Sequence, residues 1–252
     1  MSILLLILRL PLLIFHILIG LFTIIFFPKE PKYFKDIHYS IMMFWMKCLS
    51  IILGIKVDIR GTPDLSADLY VSNHVTYLDI IIINKLLPVN FIAKEAISSW
   101  PIIGVLASKT GTLFIKRGDN VESSKMIYEM EERFKIRNKI VFFPEGKIGN
   151  GLRVKKFHYK LFRSIENKDL DIQPIAIRYP RDYPKDNNYS EMISSKSERG
   201  EMISLYLKFL MRRKSHVILL FLDKVSTGDF KNETVANVLA DKINLALDDL
   251  NS

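Results

Sequence analysis

The sequence predicts an α/β fold, a mixed central sheet flanked by helices and preceded by an N-terminal hydrophobic helical membrane anchor. Two observations carry this. From Ile3 to Phe27 the chain is an almost unbroken run of Leu, Ile and Phe, longer than the roughly 20 apolar residues a helix needs to cross a bilayer. After Lys56 the texture changes to short β-rich runs alternating with helical patterns, as expected of a sheet layered with helices. The boundary falls there, with anchoring helices in 1–56 and a globular domain in 57–252. At 252 residues the chain has room for one substantial domain and a small appendage, not two large enzymatic domains.

Arg9, Pro11, His16, Gly20 and Thr23 interrupt the first apolar run. A secretory signal is the competing reading, but no Lys or Arg precedes Ile3 and no small-residue cleavage site precedes Pro28. Retention is therefore expected. Lys29, Lys32 and Lys35 follow the run, which puts the rest of the chain on the cytoplasmic face of the inner cell membrane by the positive-inside rule. Arg9 sits awkwardly in a plain span. A second apolar stretch, Ile41 to Ile55, contains only Lys47 as a charge. It is short for a crossing, which leaves an interfacial helix and an ordinary buried helix both open.

Val57–Arg60, Leu69–Ser72, Asn90–Ala93, Thr112–Ile115 and Ile140–Phe143 are predicted strands, with helices after residue 79 and over Val121–Phe134. Ile172–Arg178 and Val217–Leu222 extend the sheet, and Asn232–Leu247 forms a closing helix with Asn232 as N-cap. Tyr179–Gly200 is polar and predicted as an exposed loop.

The composition is about half apolar, at 49%, which excludes a disordered chain. A formal net charge of +9 implies attraction to nucleic acid, an anionic bilayer or a phosphorylated substrate. Charge alone does not choose among them. The single cysteine, Cys48, excludes an internal disulfide and any multi-cysteine zinc cluster.

Four short blocks carry the candidate chemistry. The first is Asn73-His74-Val75-Thr76-Tyr77-Leu78-Asp79, which leaves a strand and enters a helix. Helix positions five apart lie about 140° around the axis, so His74 and Asp79 meet only if His74 sits on the incoming turn. There Asp79 fixes the imidazole tautomer and makes His74 a general base for a hydroxyl. The alternative is a capped turn and a first-turn helix carboxylate. The second block, Gly111 to Arg117, is a strand ending in Lys116 and Arg117, cations suited to a phosphate, or simply a solvated strand end. In the third, Phe143-Pro144-Glu145-Gly146 makes a tight turn presenting Glu145 where acceptor hydroxyls could bind, or merely a Pro-Gly turn. In the fourth, Pro174 near the start of a strand implies an edge or strand-start position.

In this order the blocks resemble the glycerolipid acyltransferase family that includes 1-acyl-sn-glycerol-3-phosphate acyltransferase. Asn73, His74 and Asp79 match its N-H-x4-D block, and Gly111, Phe114, Ile115 and Arg117 its G-x-x-F-I-x-R block. Phe143 to Gly146 match F-P-E-G, and Pro174 the proline of the fourth block. Lys94-Glu95 and Trp100 to Gly104 resemble the stretch between the first two blocks, and the likeness covers roughly residues 55 to 222.

The resemblance implies an O-acyltransferase domain over 57–252 acting in phospholipid biosynthesis. His74, held by Asp79, would activate the free hydroxyl of 1-acyl-sn-glycerol-3-phosphate to attack the thioester of acyl-acyl-carrier-protein or acyl-coenzyme A. Lys116, Arg117, Glu145, Gly146, Lys147 and Pro174 would form the substrate-binding set, with no metal and no cofactor beyond the co-substrate.

One departure bears on the acceptor. Many members follow F-P-E-G with Thr-Arg-Ser; here Lys147-Ile148-Gly149 follows, and Lys147 is displaced by one position from the usual arginine. The continuation is more like lyso-ornithine lipid acyltransferases, so that lipid or another lysophospholipid is the alternative acceptor. A non-catalytic anionic-lipid-binding membrane protein is the rival of another class, and the four ordered blocks argue against it. Nucleic acid is not an expected partner because no binding motif accompanies the charge. His74, His158 and His216 lack metal-ligand spacing.

Overall fold

In the computed structural model, residues 2–116, 120–154, 156–165, 168–180, 199–228 and 232–251 are described. Seven helices are named here: α1 Ser2–Thr23, α2 Asp36–Ile52, α3 Leu78–Asn84, α4 Ile103–Lys109, α5 Asn120–Lys135, α6 Arg199–Met211 and α7 Asn232–Asn251. The strands are β1 Ile55–Arg60, β2 Leu69–Ser72, β3 Val89–Lys94, β4 Leu113–Ile115, β5 Lys139–Phe142, β6 Asp171–Arg178, β7 Ser215–Phe221 and β8 Val225–Ser226.

They form one sheet in the order β1-β7-β6-β2-β5-β3-β4, with β8 pairing β6. β2 to β6 run parallel to one another, while β7 is antiparallel to β6 and carries β1 parallel to itself. The sheet is mixed, as the sequence predicts. Its central strands bury both faces, so β2 is buried at all four positions and its sequence is a continuous apolar run with no alternation. One face packs against α2, α3 and α6 through Leu49, Ile82 and Phe209. The other packs against α5, the 3-10 segment Tyr159–Ile165 and α7 through Met130, Phe162 and Leu239.

Pro174 lies inside β6, between β2 and the β7/β8 side, and not at a sheet edge. Its carbonyl accepts Leu222 N–H at 3.0 Å. A strand residue aims its N–H and C=O to the same side, so the missing donor faces the junction where β8 pairing ends at Ile172 and β7 pairing begins at Ile175. No ladder bond is lost there.

The N-terminal segment is built into the domain. Leu6, Leu10 and Leu13 of α1 pack on the same core as Leu53, Ile55 and Val217. Arg9 explains its own presence in the apolar run. Its guanidinium donates to the carbonyls of Leu210, Arg212 and Arg213 at the C-terminal end of α6, where unpaired carbonyls and the helix dipole favour a cation. Between α1 and α2, the Trp45 ring stacks on His16 at 4.4 Å and its indole donates to the His16 carbonyl at 3.2 Å. Gly20 permits this approach, since a Cβ there would lie 2.8 Å from the indole nitrogen.

The outer surfaces of α1 and α2 stay apolar and exposed: Phe22 is 64%, Phe26 70% and Phe44 68% accessible. Residues Ser2–Phe26 are long and apolar enough to cross a membrane by length and composition. The second helix buries Met42 and Leu49 while exposing Phe44 and Ile51.

Candidate active site

Because β2 to β6 are parallel, the loops after them all leave the same edge of the sheet, where ligands of open α/β sheets bind. The β2 loop carries His74 just ahead of α3, on the incoming turn that the spacing requires. His74 Nδ1 lies 2.8 Å from Asp79 Oδ2. The same oxygen accepts Val75 N–H at 2.7 Å and Thr76 N–H at 3.0 Å. Asp79 is fully buried, whereas the His74 side chain keeps 15% of its surface exposed. As an acceptor facing Nδ1, the Asp79 oxygen selects the tautomer that carries its proton there. This leaves Nε2 as the acceptor nitrogen of the neutral ring.

The loop is braced on two sides. Asn73 extends the β2–β6 ladder with its amide, donating to the Ile177 carbonyl at 2.9 Å and accepting Ile177 N–H at 2.8 Å. From the β5 side, Glu145 Oε1 accepts His74 N–H at 3.1 Å, and Gly149 N–H donates to the His74 carbonyl at 2.7 Å. Glu145 is buried, and this carboxylate serves the backbone of the His74 loop. The turn that delivers it needs the left-handed φ of 67° at Gly146, a conformation glycine adopts without steric cost.

Lys147 is exposed just beyond this turn, and Lys116 is exposed at the end of β4. β4 lies three strands from β2, roughly 14 Å at the usual strand spacing. Lys116 therefore belongs to the outer rim of the edge. Arg117 lies outside the described residues. Pro174 pairs with Val71 within the sheet, and the β6 residue that reaches the dyad is Tyr179, whose hydroxyl donates to Asp79 Oδ1 at 2.8 Å. Sequence reasoning missed Tyr179. The available signal was a tyrosine directly after an apolar parallel strand, at the edge where such sheets bind ligands.

An apolar pocket runs between α1, α2, α3 and α4. Gly20, Trp45, Tyr77, Ile81, Phe91 and Trp100 are among its walls. Tyr77 belongs to the His74 loop, and Phe91 stacks toward Phe143 at 6.3 Å, whose ring in turn stacks on His74. The pocket walls thus include Tyr77 of the His74 loop on one side and Gly20 and Trp45 of the α1–α2 pair on the other. Tyr206, also in its wall, is held neutral because burial, then the neighbouring Tyr77, push its phenol upward. Between two of the pocket's wall residues, Trp100 and Ile103, Ile102 adopts φ 66° and ψ −64°, with Ile103 N–H bonded to the Pro101 carbonyl at 2.7 Å. This is the strained form of γ-turn, and it fixes the wall formed by Trp100 and Ile103.

Comparisons with known proteins agree with this geometry. A family model described as Acyltransferase matches residues 56–178. A lyso-ornithine lipid O-acyltransferase of Pseudomonas aeruginosa is 35% identical over 138 residues, 55% of this chain and 53% of that protein. A 1-acyl-sn-glycerol-3-phosphate acyltransferase of Neisseria gonorrhoeae is 30% identical over 127 residues, half of each chain. The chain thus spans about half the length of these curated relatives. The crystal structure of the 1-acyl-sn-glycerophosphate acyltransferase from Thermotoga maritima superposes with a TM-score of 0.71 at 16% identity, covering 100% of this chain and 96% of that one. That likeness establishes the fold. The matched segment, residues 56–178, encloses His74, Asp79, Glu145 and Pro174 and is an acyltransferase domain similar to those of lysophosphatidic acid and lyso-ornithine lipid acyltransferases.

Proposed function

We propose that the protein transfers a fatty acyl group from an acyl-carrier-protein or coenzyme A thioester to the free hydroxyl of a lysolipid at the cytoplasmic face of the inner membrane. The observation that carries this is the His74–Asp79 pair, 2.8 Å apart, on a loop whose Tyr77 lines an apolar pocket. His74 Nε2 takes the proton of the acceptor hydroxyl as its oxygen attacks the thioester carbonyl. The C–O bond forms, the C–S bond breaks, and the thiolate leaves with the proton from the imidazolium. The products are an ester and a free thiol. No acyl-enzyme is required, and Cys48 lies on α2 within the N-terminal segment. The acyl chain occupies the pocket toward Trp45 and Gly20.

The bilayer covers the exposed face of α1 and α2. Arg9, bound to α6 carbonyls, and the packed Leu6, Leu10 and Leu13 hold α1 along the domain, so this reading lays α1 in the plane of one leaflet. An in-plane anchor brings the pocket to the depth of the lipid substrates.

The first acceptor is 1-acyl-sn-glycerol-3-phosphate, making phosphatidic acid in phospholipid biosynthesis. Exposed Lys147 and Lys116 supply charge on the headgroup side. Lyso-ornithine lipid is the second, favoured by Lys147-Ile148-Gly149 in place of Thr-Arg-Ser and by the Pseudomonas relative. Purified full-length protein in mixed micelles, assayed with each acceptor and both donor types, tests the reading. Thiol release matched by diacyl product, and lost in His74→Ala, is the expected result. No transfer to any lysolipid, or undiminished transfer by His74→Ala, would overturn it.

A further inference from the structure

We infer that Tyr179 is a positioning residue that sets the proton affinity and orientation of the His74–Asp79 pair, an inference that rests on the acyl-transfer reading for its kinetic consequences but not for its physical test. The Asp79 contacts are divided unevenly. Oδ2 takes the imidazole and the Val75 and Thr76 N–H groups. Oδ1 takes the Tyr179 hydroxyl at 2.8 Å. Both residues are almost fully buried, Asp79 at 0% and Tyr179 at 3% accessible.

The placement of Tyr179 is itself fixed. The paired Asn73–Ile177 amide bonds lock the end of β6 to the His74 loop, two residues before Tyr179. Arg178 Nη1 donates to the Tyr179 carbonyl at 3.0 Å. The phenol therefore arrives on Oδ1 from a rigid strand end, on the opposite side of the carboxylate from the imidazole. A hydrogen bond to one carboxylate oxygen draws negative charge from the other. Tyr179 thus lowers the pull of Oδ2 on the proton of Nδ1, keeping that proton on the ring, and prevents the carboxylate from turning about its Cβ–Cγ bond. The other ionisable groups around the dyad are Glu145 on the His74 N–H, Arg178 beside Tyr179, Tyr77 in the His74 loop and Tyr206 near Tyr77. Removing one hydroxyl leaves all four in place.

The sign follows. Without the Tyr179 hydroxyl, the full carboxylate charge faces Nδ1 and the imidazolium form is favoured. In Tyr179→Phe, the acid limb of the kcat/KM profile moves to higher pH. At the plateau kcat falls about tenfold, the lower end of what a lost hydrogen bond to a charged group costs, while KM for the acceptor is unchanged. A purely structural tyrosine would lower the folded fraction and scale the rate without moving the limb. A second variant guards against misfolding: 3-fluorotyrosine at position 179 keeps the shape, donates more strongly and moves the limb to lower pH.

The physical arm needs no turnover. The His74 imidazole resonance, identified by its loss in His74→Ala, is titrated by nitrogen-15 NMR in the wild type and both variants. Opposite displacements in the two variants establish the inference, even if the wild type transfers no acyl group, in which case the functional reading alone falls. A midpoint unmoved in both variants, or in the fluorotyrosine protein alone should Tyr179→Phe not fold, overturns it.

Discussion

The Phe143 ring lies parallel to the His74 imidazole, with centroids 4.1 Å apart and 14° between the planes. Phe91 continues the stack from the other side at 6.3 Å. With Asp79 fixing one edge of the imidazole, Phe143 fixes its face, so the ring has one accessible orientation for Nε2. Phe143→Ala should lower kcat about tenfold with little change in KM for the acyl donor, since small misplacements of a reacting group cost up to about a hundredfold. Steady-state kinetics on the purified variant measure this. A wild-type kcat would show that Asp79 alone orients the base.

Removing the base itself has a larger effect. His74→Ala should lose roughly 10²–10⁴ in kcat while retaining its thermal midpoint, because His74 is partly exposed and fills no core space. Asp79→Asn should be as severe and also less stable. A carboxamide that keeps its oxygen toward the three donors on Oδ2 turns its amine onto the Tyr179 hydroxyl and carries no charge. Paired kinetics and thermal melts separate the two effects.

The membrane face can be tested without truncating the chain. Phe22→Asp, Phe26→Asp and Phe44→Asp together should move the protein from membrane pellet to supernatant after a high-salt wash, since about 1.5–3 kcal/mol of transfer energy is lost per large apolar side chain. The three sites are exposed, so the melt should change little. Continued pelleting in high salt would place the anchor elsewhere.

Acceptor choice should divide between Arg117 and Lys147. If the acceptor bears a phosphomonoester, Arg117→Ala should cut kcat/KM on lysophosphatidic acid roughly ten- to hundredfold, the worth of a charge-assisted contact of about 1.5–3 kcal/mol. Lys147→Ala should be milder on the same acceptor, because its cation is one position from the usual arginine. Lyso-ornithine lipid, lacking that phosphate, should be spared. Equal losses on both acceptors would assign Arg117 to the fold or the donor.

Arg9→Ala should destabilise the folded protein by about 2 kcal/mol, having lost several hydrogen bonds from a charged donor to main-chain carbonyls. For a chain of this size that is a fall of roughly 4–8 °C in Tm. A melt in detergent reads it directly, and an unchanged Tm would make the contact incidental.

The sheet was legible because its strands are short apolar runs separated by turns. β2 falls at Leu69–Ser72 as expected, and the other expected strands differ by a residue or two at their ends. α6 left no period to find. It buries Leu205 and Phe209 but also exposes Ile203 and Leu207, so both sides are apolar. Most of the polar stretch expected as a loop, residues 181–198, lies outside the described residues. α4 has only seven residues, too few to show a helical period, and β8 has only two. In the site, His74 and Asp79 were visible because only four residues separate them. Tyr179 meets Asp79 across 100 positions, and its role depends on β6 lying beside β2, which no local spacing encodes.

Arg9 bonds to carbonyls 201 to 204 positions further along the chain, and β1 pairs with β7, Ile55 beside Ser215. The first helix and the first strand therefore cannot reach their final partners until almost the whole polypeptide has left the ribosome. During that interval α1 is a greasy segment whose guanidinium has not yet met its carbonyls. Completion of the fold thus waits on the part of the chain made last, and slowing translation just before residue 199 should prolong the exposure of α1 to protease or chaperone.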